Sequence, residues 1–209
     1  MIVAVDGHAA SGKGTVAKAI AQRFDLPYLD TGLLYRAVAV KMLTEGIDLS
    51  DEKAAALAAA TAEPGAIEEA RLRSREAGEA ASIVSAHPAV RRALLDRQRR
   101  FADQAGGAVL DGRDIGTVIA PHADVKLFVT ASVAERARRR ALELEAAGQP
   151  VHLAEMEADL AARDRRDSSR ASAPLKPAED AVLLDTSHLS REESVAKAIR
   201  IVEESGARP

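Results

Sequence analysis

The chain has no cysteine and no tryptophan, and only 2% of its 209 residues are aromatic. Without cysteine, disulfides and thiolate-held metals are excluded, and a reducing compartment is a natural setting. Scarce aromatics make base stacking a poor basis for nucleic-acid binding. No apolar run approaches the ~20 residues that span a bilayer. The net charge is -3, so the surface as a whole does not advertise a polyanionic partner, although basic residues are clustered locally. His8, His87, His122, His152 and His188 are scattered without metal-ligand spacing. No Gly-x-Ser-x-Gly or Ser/His/Asp hydrolase pattern stands out. The chain opens on a core strand, so no signal peptide is expected, and a soluble cytoplasmic protein that binds neither membrane nor nucleic acid is.

What is present starts at once. The apolar run Ile2-Val3-Ala4-Val5 reads as a short buried strand. Gly7-His8-Ala9-Ala10-Ser11-Gly12-Lys13-Gly14-Thr15 follows, and residues 16–24 carry helical apolar spacing. Strand, glycine-rich turn and helix together form the setting of a phosphate-binding loop. Its backbone N–H groups and the positive helix end cradle phosphate oxygens, and Lys13 reaches the β/γ-phosphates of a nucleotide. All nine residues from Gly7 to Thr15 are therefore candidate ATP contacts. After Gly12-Lys13 the usual hydroxyl is displaced by one place, from Gly14 to Thr15. Mg²⁺ is then expected to rest on nucleotide phosphates, waters and carboxylates from elsewhere, and no side chain is assigned as a direct metal ligand.

Further along, residues 25–30 read as a turn into a very short strand, and Leu33 to Glu45 as a helix stopped by Gly46. Residues 51–62 are alanine-rich and helical, Pro64-Gly65 breaks the chain, and 67–86 reads as one helix ended by His87-Pro88. A helix over 88–104 follows, then three more buried strands at 108–111, 125–129 and 181–185, with helices over 132–147 and 190–205. Strands alternating with helices predict a three-layer α/β fold, a parallel sheet with helices on both faces. In it Gly7, Asp30, Asp111 and the Thr130 region lie at carboxyl ends, where such sheets bind ligands. The whole chain reads as one domain. The segment 31–105 is too large for a simple crossover and is expected to be a mostly helical insertion that holds a second substrate.

Three constellations could carry chemistry. Asp30-Thr31-Gly32-Leu33-Leu34-Tyr35-Arg36 leaves the second strand, and Arg36 is either an anion ligand or a surface arginine. Asp111-Gly112-Arg113-Asp114-Ile115-Gly116-Thr117 sets two carboxylates and an arginine at a strand end, which is costly to bury unless they are paired. Asp111 is a candidate for orienting the Mg²⁺ water shell, or a cap for the following loop. The arginines at 136, 138, 139 and 140, and those at 163, 165, 166 and 170, occupy two helical segments flanking Gly148-Gln149-Pro150, as the arms of a lid over about 140–172 would. Interleaved acids make a solvated face the alternative for most of them.

These elements, with Ser82, Pro88-Ala-Val-Arg91, Arg163-Asp-Arg-Arg-Asp167-Ser-Ser-Arg170, Pro174-Leu175 and Asp185-Thr-Ser, resemble the bacterial cytidylate kinases over nearly the whole chain. The resemblance implies a nucleoside monophosphate kinase using ATP and Mg²⁺ on CMP or dCMP, expected as a monomer. It assigns Ser82, Arg91 and Asp114 to the cytosine edge, Arg36, Arg113 and Arg170 to the CMP phosphate, and Arg163 and Asp167 to the sugar. Thr31 and Tyr35 line the site, and Lys13, Arg113 and Arg170 carry catalysis. A P-loop kinase for UMP, dTMP or a metabolite is the alternative enzyme; a non-catalytic nucleotide- or RNA-binding module is the alternative of another class. Two departures stand out. His8-Ala9-Ala10 replace the family's Pro-Ser-Gly, and residues 60–72 are short and lack strand alternation.

Overall fold

The structure, a computed structural model, describes residues 1–146 and 148–208; Ala147, the end of the helix expected over 132–147, and Pro209 lie outside it. In chain order the elements are β1 (Ile2–Gly7), α1 (Lys13–Phe24), β2 (Tyr28–Asp30), α2 (Thr31–Thr44), α3 (Glu52–Thr61), α4 (Glu69–Leu72), α5 (Arg75–Val84) and α6 (Pro88–Ala102). Then come β3 (Ala108–Gly112), β4 (Val125–Thr130), α7 (Val133–Ala146), α8 (Leu153–Ser169), β5 (Val182–Asp185) and α9 (Arg191–Glu204). Two compact units emerge: Met1–Leu29 with Ala102–Pro209, and Asp30–Phe101.

The first unit carries a sheet in the order β2-β3-β1-β4-β5. β1 runs parallel to β3 and β4, and β4 parallel to β5. Val3, Val5, Val109, Leu127, Val129 and Leu184 pack with Val16 and Ile20 of α1 and with Ala198 and Val202 of α9. Burying such side chains stabilises by roughly 1.5–3 kcal/mol each. The apolar run at 181–185 predicts a fully buried strand, but β5 is the edge of the sheet. Leu183 is 61% exposed there, and of β5's residues only Leu184 is buried. An apolar run alone does not distinguish a central strand from an edge.

In the second unit α2 packs against α3 and α5. Among the described residues no strand lies between Thr31 and Phe101, in keeping with the missing alternation at 60–72. The single helix expected over 67–86 is instead two. The Ser74 hydroxyl accepts from the Ala77 N–H at 3.1 Å, so Ser74 is the N-cap of α5 and α4 ends before it. No described helix is long and apolar enough to cross a membrane.

Arg136 also departs from expectation. It is not on an exposed lid face but 2% exposed, donating to the Ala131 carbonyl at 2.9 Å, to the Ala9 carbonyl at 3.3 Å and to Asp164 at 3.1 Å. It ties α7, α8 and the loop after β1 together, above a small core of Ala137, Leu144, Met156 and Leu160. Asp164→Ala strands a buried guanidinium and should cost about 3–5 kcal/mol in urea unfolding, whereas Arg136→Met should cost less. Equal losses for the two variants would mean the pair is not held as a buried ion pair.

Candidate active site

The loop after β1 is set by close approach. A Cβ on Gly7 would lie 2.0 Å from the Val129 carbonyl oxygen, so only glycine lets β1 meet β4 there. Gly12 then turns with φ 86, and Ala10 with φ 58. The left-handed backbone that disfavours alanine is therefore adopted at Ala10, at a cost of roughly 1–2 kcal/mol. The loop is braced from behind: Thr186 Oγ1 donates to the Ser11 carbonyl at 3.0 Å, and Arg139 donates to Thr186 Oγ1 at 3.0 Å and to its carbonyl at 2.7 Å. Ser11 Oγ is buried without a hydrogen-bond partner. α1 opens at Lys13, so its first N–H groups and positive dipole end face this loop. His8 sits edge-on to Phe128, ring centroids 5.8 Å apart, and burial holds its imidazole below the ordinary value, with Asp164 opposing and Arg136 reinforcing.

Lys13 Nζ lies 3.6 Å from Asp111 Oδ2, while Tyr28 donates its hydroxyl to Asp111 Oδ1 at 2.8 Å. A Cβ on Gly14 would lie 3.6 Å from Asp111 Oδ2. A carboxylate from strand β3 thus lies beside position 14. That carboxylate is 1% exposed and oriented from the far side by Tyr28.

Beyond β3, Arg113 donates from Nε to Asp167 Oδ2 at 2.9 Å, and Arg170 donates to Asp167 Oδ1. Arg163 Nε stands 4.0 Å from the same carboxylate. Burial opposes ionisation of Asp167, but Arg113, Arg170 and Arg163 outweigh it and hold the carboxyl well below the usual range. Arg170 Nε is buried without a hydrogen-bond partner. Asp6 organises the start of the same loop, accepting from the Ile115 and Gly116 N–H groups at 2.8 Å each. Those residues begin a wide turn, Ile115–Ile119, immediately after Arg113 and Asp114. Burial pushes the Asp6 carboxyl up to about 7, against the pull of its two N–H donors.

The second unit gathers its own set. Arg36 donates from Nη1 to the Leu72 and Ser74 carbonyls at 2.7 and 3.2 Å. The Arg91 guanidinium lies over the Tyr35 ring, 5.5 Å from its centroid, and donates to the Ser85 carbonyl at 3.2 Å. Thr31 and Ser82 are buried in the same unit.

The expected residues therefore fall into two groups. Lys13, Asp111, Arg113, Asp114, Arg163, Asp167 and Arg170 belong to the first unit, and Thr31, Tyr35, Arg36, Ser82 and Arg91 to the second. Within the first, Arg113, Arg163 and Arg170 converge on Asp167, whereas Arg140 pairs with Glu143 on the surface. Sequence reasoning missed Asp6 and Tyr28, and read Arg139 only as one of the clustered lid-arm arginines. The available signal for Asp6 was a lone carboxylate closing an apolar strand, a costly place for a charge without partners.

Asp6 carries a pH dependence whose sign is fixed. Between about pH 4 and 7 the fold keeps a proton that the unfolded chain has lost, so this contribution is present at low pH and fades as pH rises through about 7. The stability of the wild type minus that of Asp6→Asn should fall across this window by up to about 1.4 kcal/mol per pH unit. A difference that stays constant from pH 5 to 8 in chemical denaturation would contradict it.

A sequence profile described as cytidylate kinase matches residues 3–204. The chain is 59% identical over 203 residues to the cytidylate kinase of Methylocella silvestris, covering 97% of this chain and 94% of that one. It is 57% identical to that of Rhodopseudomonas palustris strain BisA53, covering 97% and 96%. Among solved structures, a sugar kinase from Janibacter sp. aligns with TM-score 0.51 at 17% identity, covering 96% of this chain and 93% of that one. An uncharacterised protein from Eubacterium ventriosum aligns with TM-score 0.53 at 12% identity, covering 100% and 99%. At such identities the likeness concerns the fold alone. The profile and the two sequence relatives, each matched over nearly its full length, place this chain in the cytidylate kinase family.

Proposed function

We propose that this chain transfers the γ-phosphoryl group of ATP to CMP or dCMP, giving CDP or dCDP. The observation that carries the reading is the convergence of Arg113, Arg163 and Arg170 on one buried carboxylate, Asp167, in the same unit as a phosphate-binding loop. A binding module for one nucleotide needs no second gathering of cations. A kinase does, because its acceptor is itself an anion.

In this reading the loop from Gly7 to Thr15 cradles the ATP phosphates, with Lys13 on the β/γ-phosphates. The residues fit Mg²⁺: the Asp111 carboxylate stands where Gly14 leaves no hydroxyl, so Asp111 would hold the ion through its water shell. When bound, Mg²⁺ supplies charge neutralisation on the phosphates. Arg36, Arg113 and Arg170 hold the acceptor phosphate, and Arg163 and Asp167 meet its sugar. The attacking oxygen of CMP is already anionic near neutral pH, so no protein base is needed. Catalysis is then alignment and charge neutralisation. The arginine-rich region of about 140–172, from the later part of α7 through α8, acts as the lid that excludes water, and the mostly helical segment 31–105 is the acceptor-binding subdomain.

Base choice follows from hydrogen-bond chemistry. Cytosine offers an N4 amino donor beside N3 and O2 acceptors. Asp114, 4% exposed, accepts from N4, while Arg91 and Ser82 complete the edge. Uracil presents a carbonyl oxygen there, and a carboxylate facing it is left without a donor.

Steady-state phosphotransfer from ATP to CMP, dCMP, UMP, dTMP and AMP tests this directly. CMP or dCMP should lead the panel, and Asp114→Asn should narrow the gap between CMP and UMP while leaving the KM for ATP nearly unchanged. No turnover of CMP or dCMP by folded protein would overturn the proposal, and a preference for another acceptor would make this a kinase of different specificity.

A further inference from the structure

Gly78 lies in the interior of α5, where glycine is among the poorest helix formers. Its backbone does not need the left-handed region, for it is absent from the positive-φ residues. Space explains it instead. A Cβ at this position would meet Arg36 Nη2 at 3.0 Å, Cζ at 3.4 Å and Nη1 at 3.5 Å. The guanidinium thus lies against the helix backbone at Gly78. It is pinned on another side by its bonds to the Leu72 and Ser74 carbonyls, at the junction where α4 ends and α5 begins. A methyl group at residue 78 would push the guanidinium by a few tenths of an ångström and strain those bonds.

We infer that Gly78 is a positioning residue of the acceptor site: its missing side chain seats Arg36 in the orientation that receives the acceptor phosphate. This rests on the reading of Arg36 as a phosphate ligand. The bare backbone costs helix stability and gains a fixed cation, so the two effects of filling it have opposite signs. Alanine favours the helix and disfavours the site. A residue kept only for packing would lose stability and binding together.

The test compares Gly78→Ala and Arg36→Ala in the full-length protein, by thermal unfolding and by steady-state kinetics with ATP and CMP. Gly78→Ala should unfold at or above the wild-type midpoint, raise the KM for CMP about three- to tenfold, as expected for a small misplacement of a substrate-holding group, and leave the KM for ATP within about twofold. Gly78→Ser, with a similar first atom, should behave alike. Arg36→Ala should raise the KM for CMP further. If Arg36→Ala leaves the KM for CMP unchanged, the phosphate-ligand reading of Arg36 fails, and the inference with it. If Arg36→Ala raises it but Gly78→Ala and Gly78→Ser do not, the inference alone is overturned. A Gly78→Ala protein less stable than wild type, with both KM values raised together, would also overturn it.

Discussion

Asp167 is the charge on which the first unit's site depends. Arg113 leaves the end of β3, while Arg163 sits in the C-terminal half of α8 and Arg170 caps its end. Three guanidinium groups gathered without an anion would repel one another and lose hydration. A buried carboxylate among them neutralises part of that charge, which is why Asp167 stays ionised despite its burial. Removing such a partner strands the charges that remain. In the proposed reaction the acceptor phosphate enters a site already built for an anion, and it adds negative charge where positive charge is in excess.

The same economy runs through the donor side. In the proposed function Asp111 serves where Gly14 provides no hydroxyl; its Oδ2 lies beside Gly14 and its other oxygen is fixed by Tyr28. Ala10 accepts a left-handed conformation that glycine would adopt at less cost, and the loop is braced through Arg136, Arg139 and Thr186. Strain in a loop persists only where the surroundings over-determine it. Here the surroundings are identifiable hydrogen bonds to loop carbonyls, which come from α7 and the turn after β5.

Much of this was legible in the chain itself. The first strand, the glycine loop and the alternation that follows announce a parallel sheet, because apolar runs and turn residues act locally. The loop signature and the Asp-Gly-Arg-Asp segment mark strand ends by local residue type alone, and the structure places them after β1 and β3. Three features were not legible, each for a long-range reason. β5 reads as a core strand because its apolar run does not say whether a neighbour lies on both sides. Arg136 reads as one arginine of a lid arm because its partners, Asp164 and the Ala9 carbonyl, are remote in sequence. Asp6 reads as the end of a strand because the N–H groups it accepts from arrive more than a hundred residues later.

The central claim is that Lys13 and its loop are the donor half of a phosphoryl-transfer site. Single-turnover transfer of γ-labelled phosphate from ATP to CMP, compared between wild type and Lys13→Ala, tests it most directly. The account predicts label in CDP for the wild type and a rate lower by at least about 10²-fold for the variant, with its unfolding midpoint little changed. Near-normal transfer by folded Lys13→Ala would contradict it.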